Sequence, residues 1–307
     1  MIDLKVPKNK DHIIIDAKAW VNNSSNTLNV YRMSGRDIPT FISKVVEVYP
    51  STQGLKDTVY KEDTVFLSRL ASETAQYRLF EIEQGDKKYC SIPIMQVLGR
   101  FKDGEISFDS LYMITDKILV KKVEDVYKDN ELFYSNDNTM IGEVVKVGKC
   151  RFTENWNPYS LRVKVGDKVL IRDNVSTEII LHGDKYYATE EGMVVGIFRG
   201  DNYSLNSLTL INESILLKPY ISENVLNSNF IIPNLNYEDE DYTEIYNRNL
   251  FKVIAIDKKV KELQEDDIIL VDRNLTNYVY FKSEKYFITS GIKLIEGKVT
   301  ENGERND

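Results

Sequence analysis

VKVGDKVLIRD, residues 163–173, has two counterparts in the same chain: VYKEDTVFLSR at 59–69 and ELQEDDIILVD at 262–272. Each copy keeps an acidic anchor, Asp63, Asp167 or Asp266, ahead of a mostly apolar run, and the anchors are 104 and 99 residues apart. Three further landmarks recur in the same order. A short apolar strand comes first, at Ile13-Ile14-Ile15, Ile118-Leu119-Val120 and Ile215-Leu216-Leu217. An alternating strand follows at Lys44–Val48, Glu143–Val147 and Lys252–Ile256. After the anchor, an acidic residue and a lysine precede an aromatic strand, at Asp86-Lys87-Lys88-Tyr89, Asp184-Lys185-Tyr186-Tyr187 and Glu284-Lys285-Tyr286-Phe287. Conserved order together with conserved spacing is the signature of an internal repeat.

The repeat divides the 307 residues into 1–106, 107–203 and 204–307. Apolar residues alternate with polar ones over short stretches, as strands with one face on a core require. Glu143–Val147 and Leu161–Val165 read in this way. Gly166-Asp167 reads as a tight turn, because glycine accepts positive φ without a Cβ clash. Glu62-Asp63 and Glu265-Asp266 replace it elsewhere, so turns of different geometry are expected there. Lys258–Glu265 has room for a helical turn or two at most. The expected fold class is all-β, with three tandem small barrels, since closure removes sheet edges that invite unwanted pairing.

The net charge of −8 disfavours a general nucleic-acid binder, which carries a basic excess. The start, MIDLKVPKNKD, lacks the apolar core of a leader, and no run approaches the roughly 18 apolar residues that a membrane helix needs. A cytoplasmic protein is therefore expected. Cys90 and Cys150 stand in different copies at no metal-binding spacing and read as buried or incidental thiols. His12 and His182 lie in different copies, no zinc-like cluster or phosphate loop is written, and no catalytic residue, cofactor or metal is expected. The acidic run Tyr237–Tyr242 lacks the alternating ligands and glycine turn of a calcium loop and reads as a solvated flank.

The middle copy resembles the GroES-like co-chaperonin family. The residues that carry the resemblance are Asp116–Lys121, Gly142-Glu143-Val144-Val145-Lys146-Val147-Gly148, Val163–Val169, Lys185–Ala188 and Met193–Ile197. The family implies a small Greek-key-like barrel without an active site, a chaperonin-docking loop after the first strand, and a roof hairpin after the glycine-flanked strand. On that resemblance the docking candidates are Phe230, Ile231 and Ile232 in the third copy and Leu132, Phe133 and Tyr134 in the middle one. Lys149–Ser160 has the length for the roof hairpin, whereas Asp257–Gln264 leaves little room for one. Trp156 and Tyr159 are further aromatic contact candidates, because rings bury much area at small entropic cost.

Two functions are expected from these features. One is a structural binding protein, most concretely an auxiliary protein on a viral capsid, since three linked copies with unequal loops suit quasi-equivalent sites on a symmetric assembly. The other is a co-chaperonin that caps a chaperonin. In either case the partner is a protein assembly, and oligomerisation is expected through that larger complex.

Overall fold

The computed structural model describes residues 11–16, 31–33, 36–38, 42–50, 52, 55–56, 58–68, 71, 81–84, 87–123, 139–152, 157–172, 176–200, 203–220, 250–271, 277–281, 284–291, 295–299 and 305–306. Among these residues the architecture is all-β, as expected. The first copy, which the pairing of β9 with β8 carries on to Met113, supplies β1 (His12–Asp16), β2 (Tyr31–Met33), β3 (Arg36–Ile38), β4 (Ile42–Tyr49), β5 (Thr64–Leu67), β6 (Glu81–Gln84), β7 (Lys87–Pro93), β8 (Val97–Phe101) and β9 (Leu111–Met113). The second supplies β10 (Lys117–Lys122), β11 (Thr139–Val147), β12 (Arg151–Phe152), β13 (Pro158–Tyr159), β14 (Lys168–Arg172), β15 (Thr177–Leu181), β16 (Asp184–Glu190), β17 (Val194–Phe198) and β18 (Leu208–Leu210). The third supplies β19 (Ser214–Pro219), β20 (Leu250–Ile256), β21 (Ile268–Val271), β22 (Tyr278–Phe281), β23 (Glu284–Ser290), β24 (Ile295–Val299) and β25 (Arg305–Asn306).

Among the described residues these strands form three seven-stranded sheets of one strand order, with β2–β3 and β12–β13 as separate two-stranded pairs. The orders are β6-β7-β1-β4-β5-β8-β9, β15-β16-β10-β11-β14-β17-β18 and β22-β23-β19-β20-β21-β24-β25. The irregularities coincide as well. A bulge falls between Ile14 and Ile15, between Leu119 and Val120, and between Leu216 and Leu217. A second falls between Phe66 and Leu67, Leu170 and Ile171, and Leu270 and Val271. Bulges increase local twist and bend a strand, so their recurrence bends all three sheets at the same places.

Pairing corrects the alignment of the copies in two places. Val45, Val144 and Val253 donate their N–H groups to the carbonyls of Asp63, Asp167 and Asp267, at 2.9, 2.9 and 2.8 Å. The third anchor is therefore Asp267, one residue after the expected Asp266. In the aromatic hairpin, Gln84 pairs with Lys87, Leu181 with Asp184 and Phe281 with Glu284. Lys88-Tyr89 is thus the counterpart of Lys185-Tyr186 and Lys285-Tyr286. Both slips have one cause: composition locates a strand, but only cross-strand hydrogen bonds set its register.

The anchor turns also share one geometry, against expectation. Glu62, Gly166 and Asp266 precede the anchors and have φ of 70, 91 and 72°. In each turn the anchor carboxylate accepts from the N–H three residues earlier, Tyr60, Lys164 or Gln264, at 2.7–2.8 Å. That side-chain bond supplants a ladder bond. Leu161–Val165 accordingly lies outside any strand, with Val163 buried and Val165 62% exposed. Lys258–Glu265 likewise forms turns, folding Val260 and Leu263 onto the core.

The chain packs as two compact units. One comprises Met1–Val123, Gly142–Asp167 and Val175–Gly192; the other comprises Glu124–Ile141, Lys168–Asn174 and Met193–Asp307. Within the first unit, Ile13, Ile15, Val45, Val65, Leu67 and Ile92 belong to one buried core. A separate cluster there combines Phe66, Leu98, Phe101 and Leu111 with Ile179, Leu181, Tyr186 and Ala188. The connection after β8 is folded into a turn in which Ser107 and Ser110 exchange bonds between backbone N–H and hydroxyl, each at 3.2 Å. Within the second unit, Ile215, Leu217, Val253, Ile269 and Val271 form the main core. Phe198 lies 6.5 Å from Phe281, Arg172 Nη1 donates to Ser290 Oγ at 2.9 Å, and Thr139 Oγ1 donates to the Tyr278 carbonyl at 3.1 Å. Ser204 and Ser207 repeat the serine turn, the Ser204 N–H donating to Ser207 Oγ at 3.1 Å.

Candidate functional site

The middle repeat holds the described part of the expected contact surface. β11 runs into Gly148 and then into β12 and β13, which pair through Arg151 with Tyr159 and Phe152 with Pro158. This is the hairpin expected from Lys149–Ser160, and Tyr159 stands on it half-buried. The equivalent Asp257–Gln264 has no strand, so the expected inequality between the copies holds there.

A buried carboxylate fastens the base of the hairpin. Glu191 is 0% exposed; it accepts from the Arg162 N–H, and its Oε2 lies 3.6 Å from Arg151 Nη1. A buried carboxylate is tolerable only where hydrogen bonds and opposite charge offset its desolvation. Lys117, also 0% exposed, is held in the same way by Asp116 at 3.0 Å and Glu190 at 2.8 Å. The burial of neither residue is legible in the sequence, because a charged residue at a strand end is ordinarily solvated and nothing local distinguishes these two.

Beside the hairpin base the first unit carries an open cavity of about 380 Å³. Its lining includes Tyr112, Met113, Val145 and Val165, with Arg100, Lys146 and Lys149 as its cations. Tyr112 is 52% exposed. Burial pushes the Lys146 ammonium below its ordinary pKa, against a smaller upward pull from Asp109, and its Nζ lies 4.4 Å from the Phe108 ring centre. Burial, with a smaller contribution from Asp116, pushes the Cys150 thiol above its usual range, which disfavours the nucleophilic thiolate. Such a lining suits contact with a partner better than bond-making chemistry.

The remaining candidates separate. Leu132, Phe133, Tyr134, Trp156, Phe230, Ile231 and Ile232, and the acidic run 237–242, lie outside the described residues. The strands flanking two of these segments are described: β10 ends at Lys122 and β11 begins at Thr139, and β19 ends at Pro219 with β20 beginning at Leu250. His12 Nδ1 is 3.0 Å from Ser91 Oγ, and Ser91 is 3% exposed. His182 occupies the two-residue hairpin turn with Gly183, at φ of 52 and 88°. That turn type asks for positive φ at both positions. Among the described residues, no three His, Cys, Asp or Glu side chains are grouped to hold a metal ion. No helix there is long and apolar enough to cross a membrane.

The family model for the Chaperonin 10 Kd subunit matches residues 110–198, from just before β9 to the end of β17. A protein named Co-chaperonin GroES from Geotalea daltonii is 36% identical over 86 residues, covering 27% of this chain and 90% of that protein. Its namesake from Hydrogenobaculum sp. is 34% identical over 89 residues, covering 27% of this chain and 93% of its own. The one from Rickettsia typhi is 35% identical over 96 residues, covering 30% of this chain and 98% of its own.

Proposed function

Since the chain belongs to the GroES-like co-chaperonin family, we propose that it is a non-catalytic protein that binds a chaperonin. We further propose that its three sheets are three tandem GroES-like barrels acting in the cytoplasm. The observation that carries the reading is the length of the match: residues 110–198 correspond to nearly a whole relative. The match takes in the β10–β11 connection and the β12–β13 hairpin together. Those are the positions at which the family resemblance puts the docking loop and the roof.

Three linked modules that can all engage gain roughly 100- to 10,000-fold in avidity over one module. Covalent linkage then does part of what subunit association would otherwise do. The capsid reading rests on tandem symmetry alone, and the relatives named Co-chaperonin GroES favour the chaperonin as partner.

The test is co-elution of the purified chain with a chaperonin, with and without nucleotide. A nucleotide-dependent complex is expected. Replacing Ile231 and Ile232 together by Ser should abolish it, because these residues lead the apolar docking candidates. Absence of a complex under every nucleotide condition would sink the reading and return attention to particle-bound partners.

A further inference from the structure

Four large apolar side chains are exposed among the described residues: Tyr60, Met95, Tyr112 and Val165. Three of them gather at the cavity beside the hairpin base. Tyr112 and Val165 line it, and the Tyr60 ring centre lies 4.9 Å from the guanidinium of Arg100, another lining residue. The same lining is cationic on a chain whose net charge is −8. Arg100, Lys146 and Lys149 contribute to it, and no Asp or Glu is among its described residues. Arg100 has Asp63 at 3.5 Å. Lys146 has the Phe108 ring at 4.4 Å and the through-space pull of Asp109. Neither Lys146 nor Lys149 makes an ion pair among the described residues. Asp116 is a further carboxylate near the lining, where it acts on Cys150.

The fold does not itself require these residues. Strand registers in the second unit place Ile197, Thr209 and Ala255 at the positions of Arg100, Tyr112 and Lys146. Uncharged residues without rings thus serve the same sheet geometry, and the charge and the ring are particular to this cavity. A half-buried ammonium without a carboxylate is unfavourable, because nothing offsets its desolvation. A carboxylate brought by a partner supplies the missing charge.

We propose that this cavity binds an acidic segment of a partner protein, seating a carboxylate against Lys146 and an apolar neighbour against Tyr112 and Val165. The lining favours a peptide over a small anion. β9 supplies Leu111, Tyr112 and Met113 to it and is the last strand of its sheet among the described residues. An extended peptide adds its backbone to such an edge while its side chains fill the pockets beside it. A small anion leaves Tyr112 and Val165 in water. The proposal does not rest on chaperonin binding.

The test titrates the full chain, without chaperonin, into a fluorescein-labelled peptide of alternating glutamate and leucine, followed by fluorescence anisotropy. Saturable binding that weakens as salt is raised is expected, since salt screens exposed charges. Lys146→Gln should weaken it about tenfold or more, the scale of a lost hydrogen bond to a charged group. Tyr112→Ser should weaken it about fivefold or more, the scale of an aromatic contact residue. No binding, or equal binding of a lysine–leucine peptide, overturns the proposal. Tighter binding of inorganic phosphate or of a single-stranded oligonucleotide, read by competition, also overturns it and assigns the cavity to other anions. Wild-type affinity in Lys146→Gln overturns the site. If circular dichroism shows that variant to be unfolded, Tyr112→Ser, whose ring is half exposed, decides in its place.

Discussion

Gly166 occupies a turn position held by Glu62 and Asp266 in the other copies, and all three residues have left-handed φ. An L residue there pays about 1–2 kcal/mol for the contact of its Cβ with the backbone. The two acidic residues sit opposite lysines, Lys44 to Glu62 at 2.6 Å and Lys252 to Asp266 at 2.7 Å, whereas the middle copy has Glu143 at the lysine position. Charge and backbone strain are thus traded together from copy to copy. An added Cβ on Gly166 would meet nothing within 4 Å, so Gly166→Ala isolates the backbone cost. Urea denaturation should show a loss of about 1–2 kcal/mol, and an unchanged midpoint would show that the turn relaxes freely. His12 offers a pH-dependent case. Burial holds its imidazole below the ordinary 6.5, against a smaller upward pull from Asp11. The folded state therefore prefers neutral His12: its contribution is complete above the unfolded pKa of 6.5 and is lost as the pH falls through that value toward the lower folded pKa. Stability should decline on acidification below about pH 6.5, and His12→Gln should decline less. Equal slopes for the two proteins would remove His12 from the account.

At the scale of elements, β17 and β18 approach too closely for any side chain between them. A Cβ on Gly196 would lie 2.8 Å from Leu208 Cδ1 and 2.9 Å from the Thr209 carbonyl oxygen. Gly99, its counterpart between β8 and β9, would meet Leu111 Cδ1 and the Tyr112 carbonyl oxygen, both at 2.8 Å. The obstacle is partly backbone and cannot rotate away. Gly196→Ala should cost about 1–3 kcal/mol, with faster hydrogen exchange across Leu208–Leu210; wild-type exchange there would mean that the strand shifts without loss. Much of this level was legible in the residues. The apolar and alternating strands stand where their periodicity put them, because a strand buried on one or both faces announces itself locally. Leu161–Val165 also alternates yet is no strand, since Asp167 draws the Lys164 N–H into the turn at 2.7 Å. Alternation reports burial preference; it does not report which partner satisfies a backbone group.

At the scale of the whole molecule, the middle repeat takes part in one packed apolar contact in each compact unit. Ile179, Leu181 and Tyr186 belong to the first, and Phe198 belongs to the second; all four are buried. Released as residues 114–210, it should expose both surfaces and associate with itself. In the full chain both are covered within their units. Sedimentation of the two proteins side by side distinguishes them, and a strictly monomeric fragment would argue that the buried pairs contribute little to association.

The all-β class, the recurring order of its strands and the family of the middle repeat were determined by the sequence alone, because apolar periodicity and motif spacing are properties of neighbouring residues. The six docking candidates were legible only as a resemblance, and all six lie outside the described structure. Tertiary structure alone decided that Asp267 is the third anchor, that unlike turns share one geometry, and that Glu191 fastens the hairpin base. Each of these depends on hydrogen bonds and packing between residues far apart in the chain, where a shift of one position exchanges the faces of a strand and leaves its composition untouched.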